Sequence, residues 1–386
     1  MIKKYAKRTI GILALIGAVA AYVYFMQATV TNRDDIEFRN LRGFYMEKPD
    51  TLDVVIMGSS EVMNGYSAGV AYRDAGYTSY PYAFTINSDS LWKYELEDIE
   101  RTQHPQILLI ETNGALYEED KYVYNEHCIN ALGESMPMSM NRIRLAFEMS
   151  DKPMERLFPI IKFHYKWKDI LNLSENSNML LLKSGHARLR GLSCFMYRQE
   201  YSTEMKYPPD GTTADLNPNA EKELIDFLEV CKGSDIEHIV FVEFPHIMGS
   251  KDLYERQQRA NRAAEIIQEA GFDYIDLTEA SDEMGFDYDN DFYDEHHLRG
   301  PGQIKLTRYI AGLVTDKYGL TPKEQTEENR AEWEDSARLM DTYYQVYDDY
   351  IREHADDPYA KADHVLGENV KSMKLIRDKE AEKGTE

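Results

Sequence analysis

The sequence predicts an α/β protein, a parallel sheet flanked by helices and preceded by one membrane-spanning helix. Three observations carry this. Short apolar runs alternate with helical patterns. An uncharged stretch, Thr9–Met26, follows the basic residues Lys3, Lys4, Lys7 and Arg8. A serine stands just after the first apolar run, and an Asp-x-x-His stands more than two hundred residues later.

The strands are expected at Leu52–Met57, Ser79–Phe84, Ile107–Glu111, Ile236–Glu243 and Tyr274–Leu277. Helices are expected between them. Ser88-Asp89 can cap one that runs through Leu91, Tyr94 and Ile99, because a Ser or Asp side chain accepts from the free N–H groups of the first turn. Ala220–Val230 and Leu253–Ala270 read as two more, and Gly300-Pro301 opens another with Leu306, Tyr309, Ile310 and Leu313 on one stripe. Three regions follow: 1–30 as basic flank and anchor, 31–320 as the α/β domain, and 321–386 as a charged helical extension. Residues 118–215 form an insertion between the third and fourth strands, expected to lie over the carboxyl ends of the strands, where open α/β sheets bind ligands. Helical stretches are expected there at Met140–Met149 and Leu157–Leu171. The run Phe163–Trp167 offers an aromatic face, either to core or to a substrate groove. In the extension, Trp333, Ala337, Met340, Tyr344, Tyr347 and Ile351 keep helical spacing, and the last dozen residues are expected to fray.

At roughly 1.5 Å per residue, Thr9–Met26 spans about 27 Å, close to the hydrocarbon thickness of a bilayer. The basic flank then stays in the cytoplasm and the domain lies outside. A cleaved signal peptide is the alternative, with Ala18-Val19-Ala20 as the cleavage site. The net charge of −24 excludes nucleic acid as a partner, because phosphates would be repelled. Three cysteines (Cys128, Cys194 and Cys231) with no CxxC exclude a cysteine zinc site and allow at most one disulfide.

The candidate site joins the ends of these strands. Gly58 permits a tight turn after the first strand, and that turn would present Ser60 at the start of a helix. Ser59 or Ser60 could equally serve as an N-cap. Asp294 and His297 are spaced so that the carboxylate can take one imidazole nitrogen while the other faces a serine hydroxyl, as a nucleophile–base–orienter set requires. His296 reads as a solvent-facing neighbour. Asn113, after the third strand, could donate to an oxyanion or form an Asx turn with Gly114. The turn at Asn87-Ser88 adds a backbone donor, so Ser60, Ser88 and Asn113 form the expected oxyanion hole around the catalytic set Ser60, Asp294 and His297.

These residues resemble the SGNH (GDSL-like) hydrolase superfamily over roughly 50–117 and 236–316. Gly58-Ser59-Ser60-Glu61 is similar to the Gly-Ser-Ser variant of membrane-anchored members that act in teichoic acid D-alanylation and polysaccharide O-acetylation. The chain departs from the pattern at Ser59, where aspartate is usual, at Ser88, where glycine is usual, and at Gly114 after Asn113. The resemblance implies a flavodoxin-like three-layer fold and a serine esterase or O-acyltransferase outside the cell membrane. It implies an acylated polysaccharide or teichoic-acid-like substrate and a membrane acyltransferase as partner. It calls for no cofactor and no metal. The alternative is a non-catalytic envelope-binding or scaffold protein on a degenerate form of that fold.

Overall fold

The computed structural model describes residues 2–30, 36–357, 359, 366–367 and 370–384. Residues 31–35, where the α/β domain was expected to begin, lie outside the described residues, as do 358, 360–365 and 368–369 of the extension.

Five strands form one sheet: β1 (Val54–Gly58), β2 (Ser79–Ala83), β3 (Ile107–Glu111), β4 (His238–Glu243) and β5 (Asp273–Asp276). All neighbours are parallel and the order is β2-β1-β3-β4-β5, one of the two common orders of doubly wound sheets. Every residue of β1, β2 and β3 is buried, as expected of parallel strands covered by helices on both faces. The helices Ala68–Ala75 and Gly300–Gly312 pack together on one face. Asp89–Thr102 packs against Pro218–Cys231, which meets Lys251–Glu269, on the other. In this order the winding across the sheet reverses between β1 and β3, and such a switch point opens a crevice at the carboxyl ends of the strands.

The ends of the expected strands fall within two residues of those observed. The insertion differs more. The helix expected over Leu157–Leu171 is broken: one helix ends at Leu157, Pro159 starts a second that ends at Phe163, and His164–Leu171 is a 3-10 stretch. Proline lacks an N–H and clashes with the preceding turn, so it restarts a helix instead of continuing one. Tyr165 in this stretch is 62% exposed, so it is not core, and the Trp167 side chain lies outside the described residues.

The extension forms a helix, Glu327–Glu353, that packs on the Ala68–Ala75 helix through Trp333 and Met340 and on the start of the Gly300–Gly312 helix through Tyr344 and Tyr347. Trp333 stacks on Tyr72 at 5.3 Å between ring centroids. Most of the expected frayed end is also ordered: Val370–Lys383 is helical and buries Met373 and Ile376. Its charges have partners, Glu380 on Arg188 and Lys379 on Asp349, which is why composition alone misreads it. Cys128, Cys194 and Cys231 are buried and free of disulfides.

The first helix runs Ile2–Val30, and its window Tyr5–Val23 is long and apolar enough to cross a membrane. A signal sequence passes the same test.

Candidate active site

The local sequence builds the turn after β1 from a glycine and two serines. Gly58 ends the strand in a space where a Cβ would sit 2.4 Å from Val62 Cγ2 and 2.7 Å from Glu111 Cβ. Only glycine allows that approach. Ser59 is the N-cap of the short helix Ser60–Gly65, its hydroxyl accepting from the Glu61 N–H at 3.3 Å. The two sequence readings therefore divide between the serines. Ser59 caps, and Ser60 is left to project its hydroxyl.

That hydroxyl meets His297. Ser60 Oγ lies 2.8 Å from His297 Nε2, and His297 Nδ1 lies 2.9 Å from Asp294 Oδ2. Asp294 also accepts from the backbone N–H groups of His296 at 3.0 Å and His297 at 2.8 Å. The carboxylate can only accept from Nδ1, so the proton sits on Nδ1 and Nε2 offers its lone pair to the serine. Burial works to raise the Asp294 carboxyl, but the hydrogen bond and charge of His297, with His296 beside it, outweigh burial and bring it to about 2. The loop is closed by the Tyr293 N–H on His297 O at 2.8 Å and the Arg299 N–H on Asp291 O at 2.7 Å, with Leu298 buried beneath. His296 Nδ1 is 3.4 Å from Asp294. The insertion adds Phe195, stacked on Tyr293 at 3.7 Å and edge-on to His297 at 5.6 Å.

The expected oxyanion donors are placed less simply. The Asn113 amide donates to Ser59 Oγ at 3.1 Å and to Glu61 Oε1 at 3.3 Å, so it is tied into the nucleophile turn. The Ser88 hydroxyl caps the Asp89–Thr102 helix and donates to Val123 O, which leaves only the backbone of this turn for a ligand. The Asn87 N–H is held by Phe84 O at 3.2 Å, while the Thr85 and Ile86 carbonyls both accept from Cys128 Sγ. Ile86 takes φ 57°, a left-handed conformation that is costly for a β-branched residue and that glycine would adopt freely.

Behind Ser60 lies a buried ionic network that sequence reading missed. Glu61 accepts from His246 Nε2 at 2.9 Å and from Arg256 at 3.3 Å. Arg256 also donates to Glu243, to His246 Nδ1 at 3.0 Å and to Asn113 Oδ1 at 3.3 Å. Since arginine can only donate, His246 Nδ1 presents its lone pair and Nε2 carries the proton given to Glu61. Burial raises the Glu61 carboxyl, but His246 and Arg256 overcome it and hold Glu61 ionised. Glu111 accepts from the Ser59 N–H at 2.8 Å and the Asn113 N–H at 3.2 Å, and burial, then the Glu61 and Glu243 charges, push it well up. The signal was present in outline. Two apolar strands, β3 and β4, end in buried glutamates, an expensive placement without partners.

Asp294, His296 and His297 offer one atom each within 4.8 Å of one another, a spacing a metal could use. Their geometry favours the proton relay, because Asp294 and Ser60 already occupy both nitrogens of His297.

Compared with known protein families, curated proteins and solved structures, the chain matches none.

Proposed function

We propose that the chain is a membrane-anchored, extracytoplasmic serine esterase or O-acyltransferase of the SGNH type, acting on acyl esters of cell-envelope glycans such as acylated polysaccharide or teichoic-acid-like polymers. The observation that carries the reading is the continuous relay Ser60–His297–Asp294 at 2.8 and 2.9 Å, built from the first strand and a late loop at the carboxyl end of a doubly wound sheet.

Ser60 Oγ attacks the acyl carbonyl as His297 Nε2 takes its proton, and Asp294 stabilises the imidazolium that forms. The tetrahedral oxyanion is met by the Ser60 N–H, by a backbone N–H of the turn at Ser88, and by Asn113 once its amide turns from Glu61. Collapse expels the alcohol, which takes the proton back from His297, and leaves an acyl-Ser60 ester. Water resolves it to the acid; a sugar hydroxyl resolves it to a transferred ester. Cell-surface glycan chemistry fits the apolar helix at the amino end, whose basic flank would stay in the cytoplasm. In the transfer arm a membrane acyltransferase would supply the acyl group.

The test is turnover of p-nitrophenyl acetate by the full-length protein in detergent. His297→Ala is expected to abolish turnover and His296→Ala to retain most of it, with folding checked by circular dichroism. A folded His297→Ala protein with near-normal turnover would overturn the reading in favour of a binding scaffold.

A further inference from the structure

We propose that the insertion segment 153–183 is a membrane-docking platform, lying on the outer leaflet beside the point where the first helix leaves the bilayer. The proposal rests on the reading of that helix as a retained anchor, and goes beyond it in giving the insertion its own lipid contact.

Three independent observations converge on this segment. The first is position. The helix Ile2–Val30 packs against Pro159–Phe163 and His164–Leu171, while its residues from Tyr5 to Tyr22 are exposed and Val23 is the first to be partly covered. The exposed window Tyr5–Val23 covers 19 residues, about 28 Å at the usual rise, which is one hydrocarbon thickness. Whatever packs just beyond such a window sits at the height of the headgroups.

The second is apolar exposure. Outside the first helix, fifteen large hydrophobic side chains of the described residues are exposed, and five of them fall within 153–183. Met154, Ile161, Tyr165, Leu171 and Leu180 are between 47% and 77% exposed. Such concentration in one short stretch marks an interaction surface, whereas scattered single residues would not.

The third is charge. Residues 153–183 carry five Lys or Arg against three Asp or Glu, a positive balance in a chain whose net charge is −24. Lys152 and Lys168 are exposed, and Lys162 and Lys166 lie 5.0 and 5.4 Å from the Phe163 ring. Short helices with exposed apolar residues and a basic bias bind anionic lipid surfaces, burying the apolar side chains near the acyl boundary while the cations meet phosphates. A strongly acidic soluble protein would otherwise be repelled from such a surface, so this segment is where the molecule can approach it. The platform would fix the orientation of the sheet, and with it the Ser60 site, relative to the membrane.

The test is nitroxide labelling of full-length protein in nanodiscs containing 30% phosphatidylglycerol, at Leu13→Cys, Ile161→Cys, Leu171→Cys and, as a control on the Pro218–Cys231 helix, Ile225→Cys. The native cysteines are buried. Power saturation compares collision with oxygen, enriched in lipid, and with a nickel chelate, enriched in water. Leu13, Ile161 and Leu171 are expected to favour oxygen by several-fold over Ile225, and the preference at Ile161 and Leu171 should fall when phosphatidylcholine replaces the anionic lipid. Leu13 in lipid with Ile161 and Leu171 matching Ile225 would overturn the platform and leave the anchor standing. Leu13 in water would overturn both. Dipolar broadening at Ile161 that grows with protein copies per disc would instead assign the face to a second copy of the chain and overturn the lipid contact. Ester turnover by the same samples reports on the Ser60 reading separately.

Discussion

Glu95 links the stability of this fold to pH through the floor of the site. Its side chain is fully buried on the Asp89–Thr102 helix and accepts from Asn87 Nδ2 at 2.9 Å, and the same Asn87 amide group reaches Gly58 O at 3.2 Å. Burial, opposed only by the Asn87 hydrogen bond, raises the carboxyl from 4.5 to about 8. The folded state therefore holds a proton that the unfolded chain gives up above pH ~4.5. Its contribution is fully present below that pH and is lost as pH rises towards 8. Integrating between pH 5 and 8, at about 1.4 kcal/mol per pKa unit, gives a loss of about 3.5 kcal/mol. For a folded part of this size that corresponds to roughly 5 °C in Tm. Glu95→Gln cannot ionise and should flatten this part of the profile. The assay is thermal unfolding of both proteins in one detergent at pH 5, 6.5 and 8, read as the difference between their slopes, so that other titrating groups cancel. Parallel curves would refute the argument, because they would mean that Glu95 stays ionised or that solvent reaches it.

Other consequences follow from the same contacts. Gly58→Ala places a Cβ 2.4 Å from Val62 Cγ2 and should cost about 1–3 kcal/mol by overpacking, seen as a lower Tm, while also displacing Glu111 from the Ser59 N–H. Arg256→Met leaves Glu61 and Glu243 buried without their cation and should destabilise by about 3–5 kcal/mol, measured by denaturation. Asp294→Asn should cut ester turnover by orders of magnitude, since an amide can hold the wrong imidazole tautomer. Because Asp294 sits at about 2, its ionisation should leave no inflection in the pH–rate profile above pH ~4. Protease added outside intact cells should digest the domain; protection until lysis would reverse the proposed topology.

Much of the frame was legible because it is local. Apolar runs set β1 to β5, Ser88 capped its helix as expected, and Asp-x-x-His fixed which histidine faces Asp294. Ser60 was read as the projecting serine from the resemblance, but which of Ser59 and Ser60 caps the helix could not be told, because capping and projecting use the same residue type at adjacent positions. What stayed hidden is what depends on distant partners. Arg256 reaches Asn113, Glu61 and Glu243 from a helix that reads as an ordinary charged face. The turn at Asn87-Ser88 was expected, but Ile86 takes a conformation that normally announces itself as glycine, so nothing in the sequence marked that left-handed residue. The terminal helix Val370–Lys383 looked too charged to order, until Arg188 and Asp349 supplied partners from elsewhere in the chain.

The central claim is that Ser60 is a nucleophile activated by His297. Intact-protein mass spectrometry after exposure to a fluorophosphonate tests it most directly. The wild-type chain and Ser59→Ala should each gain one phosphonyl adduct, and Ser60→Ala should gain none. An undiminished adduct on Ser60→Ala, or an unlabelled wild-type protein whose fold is intact, would contradict it.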